Sequence, residues 1–331
     1  MTTEIQQLKA TAGPYRKWAL KARKSYINLR LRQDPQIQKL YARLVKRLAK
    51  KLTSMPANLQ ARHLRIIDQL LKEQAGLLSA ELTEKLTGYI KQASSAGVAF
   101  NQAVMVDLLK TAGVKMPGIT TIYERANIQA IEVCWARTNK GLYLSDRIWK
   151  QGENYRNAMT EIIQEAVSTG QDAVTTARAL ETYVKAGRTT LASSYPNMME
   201  RMGTRIPQNI SYEALRLART EMTAAFGEGT IAAAKVSPSS KGIKYILGNN
   251  HPMPDICDII TSKDSGLGPG VYTLGNEPMY PFHPNCLCSV LSYHEQPEDF
   301  IARLKMWQSD PKKDPLLEKW YNNIYLKTQK L

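Results

Sequence analysis

Apolar residues recur at three- and four-residue steps through most of the chain. Ile37, Leu40, Tyr41, Leu44, Leu48 and Leu52 form one such stripe. Asp34-Pro35 ahead of it reads as a helix start, with Asp as N-cap and Pro at the first helical position, where a missing N–H loses nothing. Lys39, Arg43, Lys46, Arg47, Lys50 and Lys51 cover the rest of that surface, so the helix is amphipathic and cationic. Further on, the pattern predicts helices over 58–75, 80–93, 98–112 and 120–138, with Gly76 and Gly113 as stops and Ser79 as an opening cap. Ser145 caps a helix over 146–168 that Gly170 ends, and another runs over 171–186 up to Gly187. Ser211 opens one that reaches about Lys235, where Ser237-Pro238-Ser239-Ser240 breaks it.

The pattern then changes. Residues 242–247 and 286–293 have strand composition, and the stretch between them is rich in Gly and Pro. A helix near 298–308 and a Lys-rich tail from 312 close the chain. The expected class is α+β and predominantly α-helical: a helical body with a small C-terminal β module. The expected organisation is a basic helical arm over 1–56, a helical region over 57–150, a domain over 151–293 that holds the β module, and a C-terminal helix and tail over 294–331.

Composition narrows the function. With 331 residues, 43% hydrophobic and 22% charged, neither global disorder nor a low-complexity fibre fits. The net charge is +16, and residues 1–60 hold fourteen Lys and Arg against Glu4 and Asp34 alone, so most of the excess belongs to the arm. A cationic helix can be a solvated face packed on a neighbour. This density favours a polyanion, and non-specific contact with double-stranded DNA is the expectation, with Tyr15, Trp18, Tyr26 and Tyr41 as rings to lie against sugar or base. A membrane-surface helix would need a Trp/Phe wedge that the stripe lacks. The absence of an N-terminal apolar segment or a run of about 20 apolar residues gives an expectation of a cytosolic-type protein without membrane insertion.

Three of the four Cys and three of the four His lie from His251 to His294. His283-Pro-Asn-Cys286-Leu-Cys288 puts two Cys two apart in an expected strand, where their side chains share a face. Cys257 precedes them across the Gly/Pro-rich loop. Cys257, His283, Cys286 and Cys288 make a Cys3His set, and soft sulfur with imidazole in a tetrahedral array selects zinc in a structural role. Buried small hydrophobes with a core His are the competing reading. A disulfide within the 286–288 pair is geometrically poor. An enzymatic reading, a zinc-dependent enzyme acting on nucleic acid or a nucleotide, would recruit His251, Asp255 and Asp258 beside the metal, but three sulfur ligands leave little room for activated water. Cys134, beside Trp135, reads as core.

Three pieces in order resemble the phage Mu F-like minor head proteins, also called phage head morphogenesis proteins. They are Ala218-Arg219-Thr220-Glu221 with small residues through Gly227 and Gly229, then His251-Pro-Met-Pro-Asp255-Ile-Cys257-Asp258, then Pro281-Phe-His283-Pro284-Asn285-Cys286-Leu-Cys288. The resemblance covers about 150–293. Many members look like Asp-x-x-Cys-x-x-Cys before the loop, whereas here only Cys257 stands, and His251 is the substitute or fifth ligand. The resemblance implies a non-enzymatic structural protein of a tailed-phage virion, inside the head near the portal, reached through the host cytoplasm during assembly. Its partners would be portal, capsid or scaffold proteins and packaged DNA. Arg219, Thr220, Glu221 and Asp255 then read as structural motif residues, with Glu221 in an ion pair near the zinc loop.

Overall fold

The computed structural model describes residues 3–57, 59–249 and 253–330, the side chain of Ala61 excepted. It is mainly helical, with a three-stranded antiparallel sheet near its C-terminal end, the class the hydropathy pattern predicts. The chain divides into two compact units. One comprises the chain up to Arg30, Gly88–Ala136 and the chain from Arg219; the other comprises Leu31–Thr87 and Arg137–Ala218. The division is discontinuous, and the basic N-terminal segment over 1–56 contributes residues to both units.

Helices α2 (Arg16–Thr53) and α3 (Ala61–Ala112) are the longest elements. The start expected at Asp34-Pro35 is absent, because α2 runs through Pro35. An interior proline removes one ladder hydrogen bond and costs about 3 kcal/mol. The buried stripe outweighs that: Leu29 precedes the proline and Ile37, Leu40, Leu44 and Leu48 follow it, all essentially buried, each stabilising by ~1.5–3 kcal/mol. Likewise α3 passes through Gly76 and Ser79, which the pattern reads as a stop and an opening cap, and through the break expected between 93 and 98.

In the second unit, Tyr41 of α2 meets Tyr155 of α5 (Leu144–Ser168) edge to face at 6.0 Å. The Tyr155 hydroxyl donates to Gln74 Oε1 at 2.8 Å, and the Gln74 amide donates to the Leu44 carbonyl at 3.2 Å. Helix α6 (Ala173–Ser194) is interrupted at Gly187, where φ is 84° and the backbone is not helical, as the pattern predicts; a second helical stretch then runs to Ser194, and α7 (Pro196–Met202) follows, an element the sequence pattern does not reveal.

In the first unit, α1 (Glu4–Ala12), α4 (Ile119–Ala136) and the parts of α2, α3 and α8 (Tyr212–Val236) assigned to it accompany the sheet. Strand β1 (Ser240–Ile246) is central; β2 (Val271–Tyr272) pairs on one side and β3 (Ser289–His294) on the other, with Ile243 opposite both Tyr272 and Ser292. Helices α3 and α8 approach at glycines. A Cβ on Gly97 would lie 2.2 Å from the Phe226 carbonyl, and one on Gly229 would lie 2.3 Å from the Ser94 carbonyl.

Between β1 and β2 lies the short helix α9 (Ile256–Ser262). After β3, α10 (Pro297–Ser309), α11 (Pro315–Trp320) and α12 (Leu326–Gln329) complete the chain, with a π-helical turn over Tyr321–Tyr325. The residues expected as a Lys-rich tail are instead packed: Trp320 donates to the Val236 carbonyl at 2.8 Å and Tyr325 to the Pro117 carbonyl at 2.6 Å. Among the described residues no helix is long and apolar enough to cross a membrane.

Candidate metal centre

Helix α9 brings the first sulfur. Asp255 is its N-cap and accepts from the Cys257 N–H at 2.6 Å, while the Asp255 N–H donates back to Asp258 Oδ2 at 2.8 Å. This reciprocal box satisfies two donors that a helix start leaves over. It fixes the first turn with Cys257 fully buried and Ile256 and Ile259 exposed.

The other two sulfurs come from the approach to β3. Cys286 and Cys288 were expected inside the strand, but β3 starts at Ser289, and both sit in the extended segment just before it. Their alternation survives: each is buried, and Leu287 between them is exposed. Asn285, at φ 61°, makes the turn that leads in. Its N–H donates to Thr220 Oγ1 of α8 at 3.2 Å, and the Tyr280 hydroxyl donates to the Cys288 carbonyl at 2.6 Å. The Tyr280 ring lies against Gly227, where a Cβ would come within 2.3 Å of it. That contact is the packing reason for a small residue in this part of α8.

These elements bring the predicted donors together. The three sulfurs of Cys257, Cys286 and Cys288 lie within 4.8 Å of one another, as do the donor atoms of Asp255, Cys257 and His283. Cys257 Sγ is 3.7 Å from Cys286 Sγ and 3.1 Å from His283 Nε2. His283 Nδ1 is 2.9 Å from the Pro284 carbonyl, which can only accept. Nδ1 is thus placed to donate to that carbonyl, leaving Nε2 as the ring atom that faces Cys257, the usual arrangement of an imidazole oriented by its second nitrogen.

The Cys288 thiol donates to Cys286 and is pushed up by doing so, whereas Cys286, stabilised as a thiolate chiefly by that bond, is pushed down to about 6; burial pushes the Cys257 thiol up. One bound divalent cation would stabilise all three as thiolates. The cluster can therefore hold a metal ion with Cys257, Cys286, Cys288 and His283 as donors.

The other predicted residues are placed as follows. His251 lies outside the described residues. Glu221 is fully buried in α8 and Arg219 half-buried, and the motif reaches the Cys loop through Thr220. Cys134 is buried in α4. Cys257, His283 and Asp255 do not form a nucleophile, base and orienting acid in series. Both Cys257 and Asp255 approach the same Nε2, and Nδ1 faces a backbone carbonyl.

Lys39, Arg43, Lys46, Arg47, Lys50 and Lys51 are all exposed on α2, and Arg43 is paired with Glu81. Of the four rings expected to lie against nucleic acid, Trp18 of α2 is half-buried, with Lys17 Nζ 4.8 Å from its ring centroid, and the three tyrosines are not available. Tyr15, Tyr26 and Tyr41 are buried, Tyr15 bonding the Glu295 carbonyl and Tyr26 bonding Thr223. Their hydroxyls and rings complete the interior instead, so α2 offers its cations and the partly exposed Trp18. Tyr280 escaped the sequence reading, having no periodic neighbour to mark it.

Comparison of the chain with protein-family models, with curated proteins and with solved structures found no match.

Proposed function

We propose that this chain is a structural minor head protein of a tailed phage, associated with the portal and with packaged DNA during head morphogenesis, and that its cluster holds a structural zinc ion. The observation that supports the reading is the meeting of the three sequence pieces that resemble the Mu F-like proteins. Thr220 bonds Asn285, Asp255 caps the helix that carries Cys257, and Cys257 lies against Cys286 and His283. Pieces far apart in sequence thus build one small module. Three thiolates and one imidazole suit zinc, whose closed sulfur-rich sites stabilise folds rather than activate water. The exposed cations of α2 supply sequence-independent attraction for phosphates.

The test is the particle itself. Purified virions of a phage that carries the gene contain the chain, protected from external protease until the head is opened. Its absence from the particle overturns the proposal.

A further inference from the structure

We infer that the cavity between the end of α1 and the sheet binds a compact organic carboxylate, with Lys244, Ser292 and His294 as its polar contacts. The inference is independent of the metal centre and goes beyond the structural role proposed above. The cavity has a volume of about 280 Å³, at the small end of the range for ligand sites. Its lining comes from the last turn of α1 and the tight turn Gly13–Tyr15, from Phe100 of α3, from the loop before β2, and from all three strands, every part of it within the first unit. Pro14, Pro269 and Gln296 are exposed, whereas Tyr15, Phe100, Ser292 and His294 are buried. The cavity therefore runs from the surface inward.

Two side chains of the lining have polar atoms left over. Ser292 is 2% exposed and His294 8%, yet Ser292 Oγ and His294 Nε2 meet no hydrogen-bond partner among the described residues. Such atoms are rare in folded chains because each forfeits its hydration, so two in one cavity wall mark a place for a polar guest. The His294 ring is held by Nδ1, 2.9 Å from Ser239 Oγ, and by Tyr15 and Phe100, each 5.5 Å away edge to face. The charge of the guest follows from Lys244, the one cation among the described lining residues, which include no Asp or Glu. Its ammonium donates to the Pro269 carbonyl, and burial draws its pKa below that of an ordinary lysine against the pull of Asp264. Asp264 Oδ1 is committed to the Gly266 and Gly268 N–H groups at 2.8 and 3.0 Å. A partly dehydrated ammonium gains from an anion brought beside it. One ammonium matches one negative charge, and α1 presents its C-terminal turn here, whose dipole disfavours a dianion such as phosphate. Tyr15, Phe100, Leu267 and Val271 suit an apolar body on the same ligand.

Benzoate is the probe, with benzamide as its uncharged counterpart and inorganic phosphate as the second anion. Each is titrated into the full-length protein at about 0.15 M salt, where attraction to surface charge is screened, and followed by amide shifts in NMR. Benzoate should saturate one site, move the amides of Gly13, Gly268 and Tyr293, and bind roughly tenfold or more tighter than benzamide or phosphate, the worth of one charge-assisted hydrogen bond. Lys244→Met keeps the apolar stem and should weaken benzoate by about tenfold while leaving benzamide unchanged. Ser292→Ala should weaken benzoate several-fold without lowering the stability of the free chain, since it removes a buried hydroxyl that has no partner. It keeps the test open if the lysine variant does not fold. Absence of saturable benzoate binding, or equal binding of benzoate and benzamide, overturns the inference and leaves a cavity filled by water. Phosphate binding as tightly as benzoate, or benzoate affinity unmoved by both substitutions, overturns it as well.

Discussion

His294 ends β3 in an apolar setting, with the rings of Tyr15 and Phe100 each 5.5 Å away edge to face and Nδ1 2.9 Å from Ser239 Oγ. Burial holds its pKa down to about 3, against 6.5 for an ordinary imidazole. In the unfolded chain it takes a proton near 6.5; in the folded chain it resists down to about 3. Its contribution is therefore complete above pH 6.5 and is lost as pH falls from there toward 3, at about 1.4 kcal/mol per pH unit. Between pH 7.5 and 5 the loss in urea-unfolding free energy should be about 2 kcal/mol smaller in His294→Gln than in the wild type. Protonation of the metal ligands is common to both chains and cancels. A second residue-scale outcome concerns sulfur: Cys286→Ser loses the bound metal, and Cys134→Ser, buried in α4, retains it, as read by metal analysis after gel filtration. The chemistry of the site was legible at this scale, because Cys and His are few and clustered. The partnership of Asp255 with His283 was not, since no spacing rule links a helix cap to a turn 28 residues on.

At the scale of elements, α2 presents a buried apolar face and an exposed cationic one, and substitution tests them separately. Leu44→Ala, at a fully buried position, should destabilise by about 2–5 kcal/mol in chemical denaturation. Replacing Lys46, Arg47, Lys50 and Lys51 together by Gln keeps good helix formers on the exposed face, so stability should change little while affinity for DNA falls. Wild-type affinity should itself drop roughly 10³-fold between about 50 and 200 mM salt if six or more phosphates are neutralised. Equal binding by both chains at low salt, or binding insensitive to salt, would leave α2 as a protein-docking helix. Helix existence was legible from periodicity, but helix ends were not. Pro35 and Gly76 are weak local signals that continuous apolar stripes override, whereas Gly113 and Gly170, at φ 71° and 67°, leave helical backbone and do end their helices. The short elements α7, α9 and β2 escaped because their lengths allow no period to develop.

At the scale of the molecule, the division into two units runs across α2, α3 and α8, each of which contributes residues to both. Composition had marked the first 60 residues as a separate arm, because charge is a surface property and says nothing about the opposite face of the same helices. That face is buried interior. Removing the metal should act locally for the same reason that zinc sites fold their own loops: ligand binding energy there is folding energy. Chelation should raise amide exchange over 253–294 while the unit that holds Tyr41, Gln74 and Tyr155 keeps its protection. The account stands most directly on the metal itself. Elemental analysis of the protein, purified without added metal or chelator, should give one zinc per chain, with Cys257, Cys286 and Cys288 shielded from thiol reagents until the metal is removed. Far less than one zinc per chain, with all three thiols reacting at once on mild unfolding and no change on chelation, would contradict it.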